Sequence, residues 1–180
     1  RIVKSTARKQ IELETSRSLA LSAQLKAIRA QMNPHFVFNA INSIQELVLN
    51  QETLKSYDYL ESFSRLVRMT LEHSEREFVT INDECEFLQL YLDLESLRFS
   101  EGFSFSLDLE KAIGNCEVPS MVVQPFVENA IKHGLLHKFG DKYLRISFAN
   151  INEDQILCVV EDNGIGRDES RAINKRKKAN

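Results

Sequence analysis

No glycine occurs before Gly102, and Pro34 is the only proline before Pro119. Glycine and proline are the residues that most readily end helices. A stretch this long with so few of them predicts helix after helix. Residues 5–50 read as one long helix. Within it Leu21, Leu25, Ile28 and Met32 recur at four, three and four residues, the seam of a coiled coil or bundle helix. The more polar stretch from Arg1 to Arg17 matches a coiled-coil lead-in. Pro34 removes one backbone hydrogen bond and predicts a bend just before His35.

After His35 apolar residues continue at Phe36, Phe38, Ile41, Ile44, Leu47 and Val48. Residues 52–73 predict a second amphipathic helix, with Leu54, Tyr57, Leu60, Phe63, Leu66, Val67 and Leu71. A polar link at Asn50 to Glu52 lets the two pack antiparallel. One such hairpin buries too little alone, whereas two hairpins from two chains make a four-helix bundle. A homodimer is therefore expected.

Thr80-Ile-Asn-Asp-Glu predicts a helix cap with acids in its first turn, opening a third helix over about 82–99. The period then changes. Phe103 to Leu109 alternates as a strand does, Gly114 and Pro119 mark a loop, 120–136 reads as helix, and Lys142–Asn150 and Gln155–Glu161 read as strands. The fold class is α+β. A dimeric helical hairpin (residues 1–78, with its lead-in) precedes an α/β sandwich (79–180).

With 180 residues, 43% hydrophobic and 27% charged, the chain suits one or two small cores. A net charge of −3 provides no field for nucleic acid. The basic run Arg171 to Lys178 reads as a solvated tail. Cys85, Cys116 and Cys158 have neither disulfide-framework nor zinc spacing and read as buried or half-buried thiols in a reducing compartment. No run of about 18 apolar residues predicts a membrane span, and no signal peptide is visible. The first residue, Arg1, and the polar C-terminus read as those of a fragment of a longer protein.

Two motifs carry chemistry. In Pro125-Phe-Val-Glu-Asn-Ala-Ile-Lys-His-Gly134, helical spacing puts Asn129, Lys132 and His133 on one face. An amide oxygen suits a hard cation such as Mg²⁺, and an ammonium suits phosphate. In Glu161-Asp-Asn-Gly-Ile-Gly166 a strand ends in acids followed by two glycines. Glycine allows close backbone approach to a ligand, and a carboxylate there can accept from an exocyclic amine such as that of adenine. This is neither a dinucleotide fingerprint nor a Walker A loop. His35 itself admits two readings, a core histidine on an apolar helix or a nucleophile displayed for another lobe.

In the order Gln-Met-Asn-Pro-His-Phe-Val-Phe-Asn, then Pro-Phe-Val-Glu-Asn-Ala-Ile-Lys-His-Gly, then Asp-Asn-Gly-Ile-Gly, the chain resembles the LytS-type sensor histidine kinases over roughly residues 20–167. The resemblance implies a phosphoacceptor bundle followed by an ATP-binding domain of the Bergerat (GHKL) type. It implies His35 as the phosphorylated residue and Asn39 as a residue that orients it or a dephosphorylating water. It implies Asn129 as a Mg²⁺ ligand preceded by Glu128, Lys132 and His133 near the phosphates, and Asp162 on the adenine amine beside Gly164 and Gly166. ATP and Mg²⁺ are the cofactors so implied. A response regulator with a receiver aspartate is the implied partner, and a membrane sensor is expected upstream of this cytoplasmic portion. The chain departs from many histidine kinases in having Phe36, not an acid, after His35. It also stops before a nucleotide lid and second glycine turn, Asp168 to Asn180 being the lid's entrance. The alternative is a non-catalytic dimeric signalling scaffold with a degenerate nucleotide domain. A chaperone- or mismatch-repair-type ATPase lacks the His35 segment, and a plain coiled coil leaves Asn129 to Gly166 unexplained.

Overall fold

The computed structural model describes residues 34–99, 102–152 and 154–166. The Leu21–Met32 seam, the bend expected before His35, the basic tail and the lid entrance lie outside the described residues. Helix α1, described over Pro34–Leu49, and helix α2, Thr53–Ser74, form the expected antiparallel hairpin. Its turn closes on Gln51, whose φ of 59° is left-handed, and the Glu52 N–H donates to the Leu47 carbonyl at 2.9 Å. Across the hairpin Ser43 hydrogen-bonds the buried Tyr59.

Strand β1, Phe78–Thr80, leads straight into helix α3, Ile81–Ser96. The cap is the one its sequence predicts. The Thr80 hydroxyl accepts from the Asp83 N–H at 3.1 Å, and the Asp83 carboxylate accepts from the Thr80 N–H at 3.4 Å. Strand β2, Phe103–Leu109, is followed by a 3₁₀ turn at Lys111–Ile113 and strand β3, Glu117–Pro119. β1 and β3 pair antiparallel, a small sheet that the sequence did not announce. Both are three residues long, too short for a period-two pattern to register. Helix α4, Gln124–Asn129, runs without a break into a π-helical turn, Ala130–Leu135. The strands β4, Lys142–Asn152, and β5, Gln155–Asp162, complete a second sheet of order β2-β4-β5. β2 and β4 are parallel, with β3 and α4 in the crossover, while β4 and β5 are antiparallel and carry a bulge at Asn150/Asn152.

Helices and a mixed sheet give the α+β class. Leu144 and Ile146 on β4 have no exposure, and Phe148 joins them on the face turned to the helices. Full burial of one such side chain stabilises the fold by about 2 kcal/mol. The opposite face mixes polar pairs, where Ser106 and Tyr143 hydroxyls meet at 2.9 Å and Arg145 donates to Asp108 at 2.9 Å, with the exposed Leu157 and Val159 of β5. The buried core is continuous, running from Phe36, Ala40, Tyr59 and Leu66 of the hairpin through α3 to β4.

Several side chains correct the reading by periodicity. Among the phenylalanines of the helices, Phe36 and Phe87 are buried and Phe63 partly so, but Phe38, which falls in the same apolar run as Phe36, is 69% exposed. Phe38 lies two residues from Phe36, on the far side of a helix whose buried face runs through Phe36 and Ala40. His73 is buried although its neighbours in sequence are polar or charged, its ring 5.5 Å from that of Phe87. His137 is half-buried. Cys116 and Cys158 are exposed, and only Cys85 is buried. Burial pushes the Cys85 thiol up to about 12, with the Glu84 charge adding to the shift.

Candidate active site

The motif helix is built inward from an apolar stripe. Val127, Ala130, Ile131 and Leu135 are buried, which leaves Asn129 and Lys132 exposed and Glu128 and His133 half-buried. The expectation that Asn129, Lys132 and His133 share a face rested on α-helical spacing. The change to π geometry at Ala130 adds a residue to the hydrogen-bonded loop and alters the angle between Asn129 and the two basic residues. The Glu128 carboxylate accepts from the Gln124 amide at 2.8 Å.

The loop before this helix is fixed by Glu84, which has no exposure. Its two carboxylate oxygens accept the N–H groups of Met121 at 3.1 Å and Val123 at 3.2 Å. Met121 takes a left-handed φ of 57° there. Burial pushes the Glu84 carboxyl up, and the two N–H donors pull it back. Nothing in a sequence pattern marks this residue, because an acid in the first turn of a helix usually faces water.

The second motif closes on the first. Asp162 ends β5, and its Oδ1 accepts the Gly164 N–H at 2.8 Å. A Cβ on Gly164 would lie 2.5 Å from the backbone of Gly134, and one on Gly134 would lie 2.7 Å from Asp162 Oδ1. The Ile165 N–H donates to the Gly134 carbonyl at 3.3 Å. The two glycines therefore have a packing reason: only hydrogen at Cα lets the end of the motif helix touch the turn after β5. Gly166 has a left-handed φ of 78°. Asn163, which the sequence reading passed over, anchors this turn. Its Oδ1 accepts the Tyr143 N–H at 2.8 Å, and its amide donates to the Asp141 carbonyl at 3.3 Å.

Phosphoacceptor candidate His35 is the second described residue of α1, and its side chain lies outside the described residues. Its neighbour Phe36 is buried against Tyr91 of α3, the rings 5.0 Å apart. The crevices beside Phe36 are lined by Glu128, Ile131 and Lys132 of the motif helix. Asn39, one turn later, is half-buried. The motif helix thus meets the His35 segment beside Phe36 and the Asp162 turn at Gly134.

Residues 23–103 match the family model for histidine kinases. Over 165 residues, 90% of the chain, it is 33% identical to the sensor protein LytS of Staphylococcus haemolyticus. It is 34% identical over 161 residues to the sensor histidine kinase/phosphatase LytS of Staphylococcus aureus.

The chain belongs to the LytS-type sensor histidine kinases.

It spans about a quarter of the length of these LytS relatives, 28% and 27% respectively. A histidine kinase domain from a blue-light activated kinase of Erythrobacter litoralis aligns with 89% of the chain and 82% of its own, at 13% identity and a TM-score of 0.43. No helix among the described residues is long and apolar enough to cross a membrane.

Proposed function

We propose that this chain is the phosphoacceptor and nucleotide-binding portion of a sensor kinase, which phosphorylates His35 from ATP and passes the phosphoryl group to a receiver aspartate of a response regulator. The observation that carries this reading is the contact of Gly134 with Asp162 and Gly164, at the end of a helix against which the neighbour of His35 is buried.

The side chains present fit a magnesium nucleotide. Asp162 has one carboxylate oxygen engaged by its own turn, and its other oxygen is the acceptor for the adenine amine. Gly164 and Gly166 shape the pocket beside it. Asn129 offers an exposed amide oxygen to Mg²⁺, a ligand type the ion accepts. Lys132 and His133 follow within one turn to meet phosphate oxygens. Bound Mg²⁺ supplies neutralisation of phosphate charge. The task left to the protein is positioning, since phosphoryl transfer needs an in-line nucleophile more than covalent help. A neutral imidazole is a competent nucleophile that needs little activation beyond placement. Asn39, one turn beyond His35, orients it or a water that hydrolyses the phosphoryl group. One of the relatives is named as a kinase and a phosphatase.

The hairpin, up to residue 78, is the dimerisation and phosphoacceptor unit, and residues from 79 onward are the nucleotide unit. Leu49 and Leu54, each 81% exposed, and Tyr57, 66% exposed, are the apolar face that a second hairpin covers in a four-helix bundle. The portion lies in the cytoplasm below a membrane sensor.

The test is incubation of the full-length protein with γ-labelled ATP. The kinase reading expects acid-labile, alkali-stable label, absent in His35→Gln and lost to a receiver domain on mixing. Nucleotide binding with no label transfers the assignment to a signalling scaffold. Hydrolysis indifferent to His35 transfers it to an ATPase.

A further inference from the structure

We propose that Phe36 is the positioning residue of the phosphoryl transfer, the side chain that sets where His35 stands relative to the nucleotide helix. This rests on the kinase reading above.

The position after His35 is the one that many histidine kinases fill with an acid, and here it holds an aromatic ring. That ring points neither to solvent nor only into its own hairpin. Phe36 is 4% exposed. Its ring centroid is 5.0 Å from Tyr91 of α3 and 6.3 Å from Phe63 of α2, so the nearer aromatic partner lies across the seam. On the seam's far side Phe36 shares a narrow cleft with Glu128, Ile131, Lys132 and Leu136, the stretch of helix that brackets Asn129. On its near side the crevice it shares with Leu66, Thr70 and Gln124 has no room for a water.

An aromatic side chain has only two rotatable bonds, and a close-packed site holds both. Adjacent Cα atoms are fixed about 3.8 Å apart by the peptide bond. Locking the Phe36 ring between Tyr91 and the motif helix therefore locks the backbone from which His35 projects. Reacting atoms must meet at about 3–3.5 Å and in line, and a misplacement of about 1 Å costs on the order of 100-fold in rate. A large rigid ring is suited to that tolerance; an acid at the same position would be desolvated in this seam.

The experiment measures autophosphorylation of the full-length protein from γ-labelled ATP, together with binding of a fluorescent ATP analogue and thermal unfolding. Phe36→Ala is expected to lower kcat about 10–100-fold, with KM for ATP and analogue affinity within twofold of the parent. Phe36→Leu, which refills most of the volume, is expected to recover much of that loss. Tyr91→Ala is expected to match Phe36→Ala, and the double variant to be no slower than the slower single, because both remove one contact. A labelled parent whose Phe36→Ala variant reacts at the same rate or faster, or loses affinity rather than kcat, overturns the proposal while the kinase reading stands. Additive losses in the double variant overturn it as well. Where the Phe36→Ala variant does not fold, a folded Tyr91→Ala protein with the parent's kcat overturns it. A parent that takes no label at all brings down both readings.

Discussion

The hairpin and the sheet unit bury their apolar residues to very different extents. In the sheet unit Leu88, Leu92, Val127, Leu135, Leu144 and Ile146 have no exposure at all. In the hairpin Phe38, Val48, Leu49, Leu54 and Tyr57 are more than half exposed, and Leu66 is the only fully enclosed large aliphatic side chain among its described residues. Two antiparallel helices offer two apolar stripes, and α3 covers only one side, through Phe36, Ala40 and Leu66. A sheet with helices laid along one face can close that face without outside help. The two regions differ accordingly: the sheet unit encloses most of the core, although Phe126 and Phe139 stand exposed on it, and the hairpin leaves a larger share of its apolar side chains in solvent.

The largest effect is expected from breaking the closed region where it is tightest. Gly164→Ala puts a methyl 2.5 Å from the Gly134 backbone, which cannot yield as a flexible side chain would. Overpacking of this kind costs about 1–3 kcal/mol, and it parts the two motifs. Denaturant unfolding should show that loss, and binding of a fluorescent ATP analogue should fall by at least tenfold. Wild-type affinity in a folded Gly164→Ala protein would mean that the contact is dispensable.

Striking the open region should do the converse. Leu54→Glu with Tyr57→Glu charges the exposed stripe and should convert a dimer to a monomer in sedimentation. Exposed positions tolerate substitution to within about 0.5 kcal/mol, so unfolding of the sheet unit should scarcely move. A persistent dimer would place the partner surface elsewhere.

The smallest effect lies at the junction. Burial lowers the pKa of His73, whose Nδ1 lacks a hydrogen-bond partner, although the Asp83 charge opposes the shift. The unfolded chain then takes up a proton at higher pH than the fold does. The stability that the neutral ring contributes is complete above about pH 6.5 and is lost as pH falls below it. Glu84 and Glu95 have raised values, chiefly from burial, and act in the opposite sense, losing stability as pH rises above the ordinary carboxylate range. Comparing the parent with His73→Phe isolates the histidine: melting temperatures should diverge between pH 7.5 and pH 5, the parent falling relative to the variant. Parallel profiles would refute the assignment.

What could be read in advance follows from the range of the interactions. The hairpin turn, the Thr80 cap and the strands from Phe103 and Lys142 are specified by residues close in sequence, and period or capping chemistry reveals them. The two nucleotide motifs were legible because each is a contiguous run. What stayed hidden depends on distant partners. Glu84 is separated from Met121 and Val123 by the rest of α3, two strands and a 3₁₀ turn, and so it reads as an ordinary first-turn acid. His73 is buried because Phe87, on another helix, covers it. Gly134 looks like a helix terminator until Gly164 is set against it. The β1–β3 pair joins Val79 to Val118, residues that show no shared pattern.

The π turn at Ala130–Leu135 makes the spacing from Asn129 to Gly134 a measure of length as much as of chemistry. Removing one residue there would return the segment to α-helical spacing and change how the end of the helix meets the turn after β5. The carbonyl that meets Ile165 would then face elsewhere. Evolution and protein engineers alike are free to exchange side chains along this turn more readily than to change how many it holds.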